Sequence, residues 1–401
     1  MSKVKIITHT VLVLSFVSLF TDIASEMLYP VMPIYLKTIG FSVVLIGILE
    51  GFAEAIAGLS KGYFGNLSDN IGKRLPFVQI GYMFSAISKP MMAVSIFPAW
   101  VFLARTIDRL GKGIRTGARD ALLSDEATPT TKGRVFGFHR SMDTLGAVLG
   151  PSLALIYLAF HPNDYQTLFY IAFFPGMISI AFTFLIKEKQ KYQSPEGLRK
   201  PKTGLLDFVK YWKQSPVIYQ KLVAALLLFT LFNSSDVFLL LKIKETGFND
   251  TTVIGAYIFY NLIYAMSSYP LGILADKVGM KKILASGLIL FAIVYIGMAF
   301  AQSEVVFLVL FLLYGMYAAA TEGVAKAWIT NICEKRDTAT AIGTYTAFQS
   351  IATLLASSIA GLIWFYIGAS TVFLLSGIIA LAVAIYILRF KNELARNYGH
   401  L

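Results

Sequence analysis

The chain has 401 residues, of which 56% are hydrophobic and 14% charged, and its net charge is +12. A mean hydropathy of +0.66 excludes a water-soluble globule of this length, so we expect an integral membrane protein whose main partner is the lipid bilayer. The basic residues lie mostly between apolar segments, where they set membrane topology, so nucleic acid is not expected as a partner.

Apolar segments long enough to cross a bilayer recur about every 30 residues, and twelve of them use nearly the whole chain. We predict a six-span bundle over 1–186, a cytoplasmic linker rich in Lys and Arg over 187–215, and a second six-span bundle over 216–401. The predicted spans are 7–36, 42–63, 75–95, 98–118, 134–160, 165–186, 217–243, 252–271, 281–300, 304–328, 338–365 and 368–389.

The basic residues are distributed unevenly between the two sides of the membrane. Lys3 and Lys5 precede the first span. The turns on the opposite side contain only three basic residues, Lys37, Lys242 and Lys244. Because Lys and Arg concentrate in cytoplasmic loops, both termini are predicted to be cytoplasmic. A basic loop is predicted on the same side after span 98–118, with Arg115, Arg119, Lys132 and Arg134.

A polar stretch that contains two glycines occurs once in each half of the chain. The first copy has Gly65, Asp69, Gly72, Lys73 and Arg74, and the second has Gly272, Asp276, Gly279, Met280 and Lys281. The repeat indicates two copies of one unit, with each stretch forming a loop between the second and third spans. In such a loop the glycines permit close approach of helix ends, the Asp can interact with a helix N-terminus, and the bases favour the cytoplasmic surface.

This repeated pattern resembles the loop signature of the major facilitator superfamily. The resemblance implies an all-α membrane protein with twelve transmembrane helices in two pseudo-symmetric six-helix bundles. The first copy matches the signature, and the second departs from it at Met280. The stretches 21–30, 111–120 and 138–143 resemble a group of prokaryotic permeases, which implies the plasma (inner) membrane of a prokaryote.

Charged residues lie within the predicted spans, mainly in the first half, where each costs several kcal/mol unless it is paired or faces water. Asp22 and Glu26 are four residues apart, as are Glu50 and Glu54, so each pair shares one helical face. Desolvated carboxylates bind protons more readily than exposed ones. The predicted proton carriers are Asp22, Glu26, Glu54, Asp143 and Asp236.

Alignment of the two halves through their small residues shows that the second half lacks most of these charges. Arg140, for example, falls opposite Thr346. We therefore expect proton coupling in the first bundle and an aromatic surface for an organic substrate in the second. The predicted substrate-binding residues are Arg105, Arg109, Arg140, Tyr260, Tyr314 and Tyr317. The alternatives are that the tyrosines only pack and that the arginines neutralise neighbouring acids.

A gating role is predicted for further pairs of residues. Lys112 and Glu322 occupy matching positions near the cytoplasmic end and carry opposite charge, so a salt bridge between them could close that end. Gly146, Gly150 and Pro151 resemble the antiporter motif of the superfamily, although its two further glycines are missing here. Simple helix packing is the alternative for these small residues. Both copies of the glycine-containing stretch complete the predicted gating set.

The sequence predicts a proton-coupled secondary active transporter that works by alternating access and exports an amphipathic organic small molecule in exchange for protons. Proton-coupled uptake of an anionic small molecule, such as a carboxylate or metal chelate, is the alternative, and a non-transporting membrane receptor on the same fold is a third. We expect a monomer. No phosphate-binding Gly-Lys-Ser/Thr loop or Cys/His cluster is present, so no enzyme, cofactor or metal site is predicted, and His139 is interpreted as a member of the charge network.

Overall fold

The computed structural model describes residues 6–188, 204, 206–234, 236–248 and 250–390. This part of the chain is helical and contains no β-strand. We refer to residues up to 188 as the first half and to residues from 216 as the second half. The α-helices are α1 (His9–Leu28), α2 (Met32–Thr38), α3 (Val43–Ile71), α4 (Leu75–Val94), α5 (Pro98–Asp125), α6 (Lys132–Phe160), α7 (Tyr165–Thr183), α8 (Asp207–Gln214), α9 (Val217–Phe232), α10 (Asp236–Glu245), α11 (Asp250–Val278), α12 (Met280–Phe300), α13 (Glu304–Ile332), α14 (Thr338–Tyr366) and α15 (Ala369–Leu388).

The first predicted span of each half is broken into two helices. In the first half, α1 ends at Leu28 and α2 begins at Met32, because Pro30 has no backbone N–H with which to continue the helical hydrogen bonds. In the second half, α9 ends before Asn233 and Ser234, whose side chains instead hydrogen-bond the hydroxyls of Tyr317 and Tyr295. Asp236 is therefore the first residue of α10 and does not lie inside a continuous helix.

The repeated glycine-containing stretch is not a loop, and that prediction was wrong. α3 continues through the first copy to Ile71, and α11 continues through the second to Val278. The chain turns only at Gly72 (φ 71°) and at Gly279 (φ 105°), where the positive φ favours glycine. The polar side chains look loop-like in sequence because they serve contacts between helices that extend beyond the apolar layer.

The basic loop predicted around Arg115 and Arg119 is also wrong, since both residues lie within α5 and are buried. The predicted linker is described only in part, and Lys189, Lys191, Arg199, Lys200 and Lys202 lie outside the described residues, as do Lys3 and Lys5. Its described portion contains the short helix α8. The side chain of Phe208 in α8 lies against Gly62 of the first half, and its carbonyl accepts a 3.1 Å hydrogen bond from Thr344 of the second half.

Eight of the described helices are long and apolar enough to cross a membrane, and a ninth is added if α8 and α9, which meet at 117°, are taken together. α5 does not meet this standard because eight charged residues interrupt its apolar sequence. They are Arg105, Asp108, Arg109, Lys112, Arg115, Arg119, Asp120 and Asp125. A test based on composition alone therefore fails to recognise a membrane helix that contains several charged residues.

The two halves meet at one end of the molecule through matching glycine contacts. Gly65 of α3 faces Ala339 and Gly343 of α14, and a methyl group at Gly65 would lie 2.5 Å from the Ala339 carbonyl oxygen. Gly272 of α11 faces Gly133 and Gly137 of α6 in the same way. Backbones this close leave no space between the halves, so we name this end, which includes the turns at Gly72 and Gly279, the closed end.

The opposite end, named the open end, shows no such contact among the described residues. A methyl group at Gly51 of α3 or at Gly255 of α11 would meet no atom within 4 Å. The side chains of Ile48 and Phe52 are 56% and 53% exposed. The described hydrogen bonds and ion pairs between the halves lie between the closed end and the middle of the long helices, so the interface opens toward the other end.

Candidate functional site

A central cavity of about 430 Å³ lies between the two halves. Its first-half wall includes the acids Asp22, Glu26 and Asp143 and the bases Lys61, Lys112 and Arg140. Its second-half wall includes Asp236, Tyr257, Tyr260, Tyr264, Tyr314 and Tyr317. The structure thus brings most of the predicted proton-coupling and substrate-binding residues to one cavity, with charge concentrated on one wall and aromatic rings on the other.

Asp22 and Asp143 form a carboxyl pair on the first-half wall. The two groups lie within hydrogen-bonding distance of each other. Asp143 also accepts a hydrogen bond from the Ser18 hydroxyl and forms a 2.6 Å ion pair with Arg140. Two carboxyls this close cannot both ionise at low cost, so such a pair holds a proton between its members.

Close packing of α6 on α1 creates this pair. A methyl group at Gly146 would lie 2.6 Å from the Leu19 carbonyl oxygen, and one at Gly150 would lie 2.7 Å from that of Ile23. Pro151 follows within the same helix. The two glycines therefore let the helix backbones touch, which brings the Asp143 side chain within reach of α1.

Arg105 and Arg109 do not line the central cavity. The Nε and Nη2 atoms of Arg105 each lie 2.8 Å from an oxygen of Glu50, a bidentate pair. Arg109 lies 3.6 Å from Glu50 and 3.9 Å from Glu54. Both arginines instead line a smaller cavity of about 50 Å³, which also contacts Asp22 and Glu26. The structure thus places them, together with Glu54, in an ion network inside the first half, as the neutralisation alternative describes.

Glu26 and Asp22 differ from Glu50 and Glu54, which form ion pairs with arginines. No Lys or Arg of the described residues lies within ion-pair distance of either carboxylate, although both line the two cavities. Lys112 and Arg109 act on Glu26 only at longer range. An acid that faces a cavity without a cationic partner is free to exchange a proton with the water in that cavity.

Asp236 lies at the centre of the second-half wall. Its two oxygens accept hydrogen bonds from the Tyr260 and Tyr314 hydroxyls, the latter at 2.5 Å. The rings of Tyr314 and Tyr317 follow one another at 5.3 Å, and Tyr317 accepts a 3.1 Å hydrogen bond from Asn233. The break between α9 and α10 exposes this carboxylate to the cavity.

Arg140 links the two halves across the cavity. Besides Asp143, its guanidinium contacts Glu322 and donates to the Tyr264 hydroxyl. Glu322 is therefore paired with Arg140 and not with Lys112, which corrects the predicted gate. The planar guanidinium can bind two carboxylates at once, whereas an ammonium group provides a single point of charge.

The aspartates of the repeated stretch cap helices of the opposite half. Asp69 accepts a 2.7 Å hydrogen bond from the Thr340 amide at the start of α14. Asp276 accepts bonds of 2.7 Å and 2.9 Å from the Gly133 and Arg134 amides at the start of α6. Each carboxylate thus satisfies backbone donors that a helix N-terminus leaves unpaired.

The bases of the two copies have different partners. Arg74 is buried and pairs with Asp69 at 3.1 Å and with Asp125, while Lys73 is exposed. Burial acts to lower the pKa of Arg74, but Asp69 and Asp125 outweigh it and raise the pKa overall. Lys281, which matches Arg74 in sequence, donates instead to the Phe390 carbonyl at 3.0 Å.

Three charged residues at the interface were missed as site residues. Lys326 of α13 lies 2.8 Å from Asp120 of α5, and Lys61 of α3 lies 2.8 Å from the Ser350 hydroxyl of α14. Lys61 and Lys326 lie inside predicted spans, and a charge in such a position could have identified them as candidate site residues. His139, expected in the charge network, has no hydrogen-bond partner at either ring nitrogen among the described residues. No group of three or more described His, Cys, Asp or Glu residues is placed to hold a metal ion.

Comparison with known proteins gives concordant matches. The profile of the Major Facilitator Superfamily matches residues 14–260 and 243–397. The chain is 32% identical over 364 residues to an uncharacterized MFS-type transporter of Methanocaldococcus jannaschii, a match that covers 89% of each chain. It is 25% identical over 191 residues to the quinolone resistance protein NorA of Staphylococcus aureus, which covers 47% of this chain and 48% of that one.

The fold is also found among solved structures. The crystal structure of the human organic anion transporter MFSD10 (TETRAN) matches with a TM-score of 0.81 at 17% identity, covering 94% of this chain and 98% of the other. At this identity the likeness shows the fold alone. It confirms the expected all-α architecture of two six-helix bundles.

Proposed function

The chain belongs to the major facilitator superfamily, and from this premise we propose that it is a proton-coupled secondary active transporter that exports an amphipathic organic small molecule by alternating access. The observation that carries the proposal is the position of Asp22 and Glu26. Both carboxylates line a cavity between the halves, and neither has a cationic partner at ion-pair distance among the described residues. Acids in such a place cost free energy that a proton-carrying role explains.

The distribution of basic residues supports a cytoplasmic closed end. At or beside its turns lie nine basic residues, Lys73, Arg74, Lys132, Arg134, Lys277, Lys281, Lys282, Lys335 and Arg336, whereas those at the open end have three, Lys37, Lys242 and Lys244. Counted over all turns, the excess lies at the closed end, and both termini then lie on the cytoplasmic side. In this assignment the structure is the outward-facing state, with the cavity connected to the exterior of a prokaryotic cell.

Proton binding can be coupled to movement of the halves through Arg140. When the Asp22–Asp143 pair takes up a proton, the negative charge that holds Arg140 on the first-half side decreases. Arg140 then interacts more strongly with Glu322 of the second half, so the balance of contacts across the cavity changes. Protonation thereby acts on contacts between the two halves that must rearrange for the closed end to open.

Two further observations support export. The match to a quinolone resistance protein over about half the chain is to a protein named for drug resistance. The close contact of Gly146 and Gly150 with α1 places the antiporter-like stretch directly against the carboxyl pair. We propose a monomer as the working unit, because each chain contains a complete cavity.

Uptake of an anionic small molecule is the second candidate. Lys112 and Arg115 line the central cavity, and neither lies within ion-pair distance of a described carboxylate. Arg115 instead donates a 2.5 Å hydrogen bond to Ser85 and lies 4.6 Å over the Tyr82 ring. These two cations could bind a carboxylate or a metal chelate, in the role first assigned to Arg105, Arg109 and Arg140.

Transport in proteoliposomes tests the proposal. Liposomes with an acidic interior and an internal pH dye are offered a panel of organic cations, neutral amphiphiles and carboxylates. We expect one compound to drive protons out of the lumen as it enters, and Asp22→Asn to abolish this exchange, whereas the exposed control Glu304→Gln retains it. Proton movement together with a carboxylate supports uptake of an anion instead. No proton movement across the whole panel would leave the receptor alternative.

A further inference from the structure

The tyrosine wall of the second half has the composition of a cation-binding cage. Three rings follow one another edge to face on the wall that carries Asp236, with centroids of Tyr257 and Tyr260 at 5.4 Å and those of Tyr260 and Tyr314 at 5.3 Å. All three line the central cavity. The faces of aromatic rings attract cations, and several faces around one space provide a preorganised site for a positive centre.

Asp236 supplies the negative charge of this cage. The two tyrosine hydroxyls that donate hydrogen bonds to Asp236 are neutral. No Lys or Arg of the described residues lies within ion-pair distance of its carboxylate. A carboxylate in a membrane protein is normally paired or faces water. Here the space next to it is a cavity, so a cation that enters the cavity would be its first charged partner.

A second chamber of about 300 Å³ extends from the cage into the second half. At its polar side it shares Asn233, Asp236, Tyr317, Glu322, Lys326 and Gln349 with the central cavity. The rest of its lining includes the apolar side chains of Leu226, Phe229, Leu284 and Leu288. A ligand whose positive centre lies in the cage can therefore place an apolar or aromatic group in this chamber, where burial of its surface is favourable.

Most basic residues of the facing wall have acids beside them and do not exclude a cation, whereas Arg115, which has none at ion-pair distance, donates to Ser85 and lies over the Tyr82 ring. Arg140 contacts both Asp143 and Glu322. Lys326 contacts Asp120. Lys112 experiences the attraction of Glu54, Asp22 and Glu26. The uncompensated charge that a ligand meets on the tyrosine wall is that of Asp236.

We infer that the second half binds an organic cation with a bulky apolar substituent, its positive centre held between Asp236 and the faces of Tyr260 and Tyr314. This names the substrate class of the proposed exporter and rests on that proposed function for its biological meaning. It assigns Asp236 to substrate recognition, in place of the proton-carrying role expected from the sequence.

A pair of probes with the same shape and opposite charge tests the inference. Binding of tetraphenylphosphonium and tetraphenylborate to the purified full-length protein in detergent is measured by equilibrium dialysis. We expect the cation to bind more tightly than the anion, and Asp236→Asn to weaken cation binding about tenfold or more while anion binding is unchanged. Glu304→Gln, which removes an exposed acid outside the cavity, should change neither. Equal binding of the two ions, or an unchanged cation affinity in Asp236→Asn, would overturn the inference.

The tyrosines provide a second test that does not depend on Asp236. Replacement of Tyr260 and Tyr314 by Phe keeps both ring faces and should retain cation binding within a few fold, whereas replacement by Leu should weaken it about tenfold. Gel filtration and the melting temperature identify variants that do not fold. Loss of binding in the Phe variant, with a normal melting temperature, would show that the hydroxyls and not the ring faces bind the ion, and would contradict the cage.

The result is separable from that of the transport experiment, because binding in detergent needs neither a proton gradient nor a direction of transport. Cation binding that depends on Asp236, without proton exchange in liposomes, would refute the proposed function and leave the cage. Proton exchange driven by a carboxylate, without cation binding, would refute the cage and leave proton coupling.

Discussion

The two halves of the chain have the same succession of helices but line the cavity between them with different chemistry. At the closed end they are nearly interchangeable: Asp69 caps α14 as Asp276 caps α6, and Gly65 meets α14 as Gly272 meets α6. Around the cavity, the first half presents a carboxyl pair among basic residues, and the second half presents tyrosines around Asp236.

This difference indicates which contacts a duplicated fold must keep and which it can change. The closed end requires close backbone contact and capped helix ends in both halves, so small residues and an acid recur at matching positions. The cavity wall has no such packing requirement, because it faces open space. Proton coupling and substrate recognition can therefore reside in different halves.

The largest effect is expected at Arg140, which joins the two walls. Arg140→Gln leaves Asp143, whose side chain is 10% exposed, without its cation, a loss of about 3 kcal/mol, and also breaks the contact with Glu322, so transport should fall by more than about a hundredfold. The matched control is Arg336→Gln, whose side chain is 73% exposed, and transport by that variant should be unchanged. Initial rates of transport in proteoliposomes measure both. Near-normal transport by Arg140→Gln would show that the walls work without this link.

A smaller effect separates the two copies of the repeated stretch. Arg74→Gln removes a buried cation from Asp69 and Asp125 and should cost about 3 kcal/mol of stability, whereas Lys281→Gln removes only hydrogen bonds to carbonyls and should cost about 1 kcal/mol. The melting temperatures of the purified variants measure the difference. Equal shifts, or a larger shift for Lys281→Gln, would mean that the two copies hold the closed end alike.

Most of the helices could be predicted from the sequence because apolar length is a local property. Span 75–95, for example, corresponds to α4 at Leu75–Val94. The errors occur where polar residues lie within a helix. The two copies of the repeated stretch, at Gly65 and Gly272, were predicted as loops but lie within α3 and α11. The broken first spans were also missed, since Pro30 and Asn233 interrupt sequences that otherwise remain apolar.

The sequence could predict which residues line the site but not which of them form ion pairs with one another. Charged residues inside apolar stretches identified Asp22, Asp143 and Asp236, because such a residue can be seen in the sequence whichever partner it has in the fold. The choice of partner is a long-range property: Arg140 meets Glu322, 182 positions later in the chain, and the sequence offered Lys112 as an equally plausible cation. The same limit hid the contact between Lys326 and Asp120.

The division of work between the halves is tested most directly by comparing Asp22→Asn with Asp236→Asn in proteoliposomes, using a transported compound from the panel. Exchange of labelled for unlabelled compound needs substrate binding and movement of the loaded protein between its two access states, whereas accumulation against a gradient also needs proton coupling. We expect Asp22→Asn to keep exchange and lose gradient-driven accumulation, and Asp236→Asn to lose both. Gradient-driven accumulation by Asp22→Asn, or exchange at the wild-type rate by Asp236→Asn, would contradict the account.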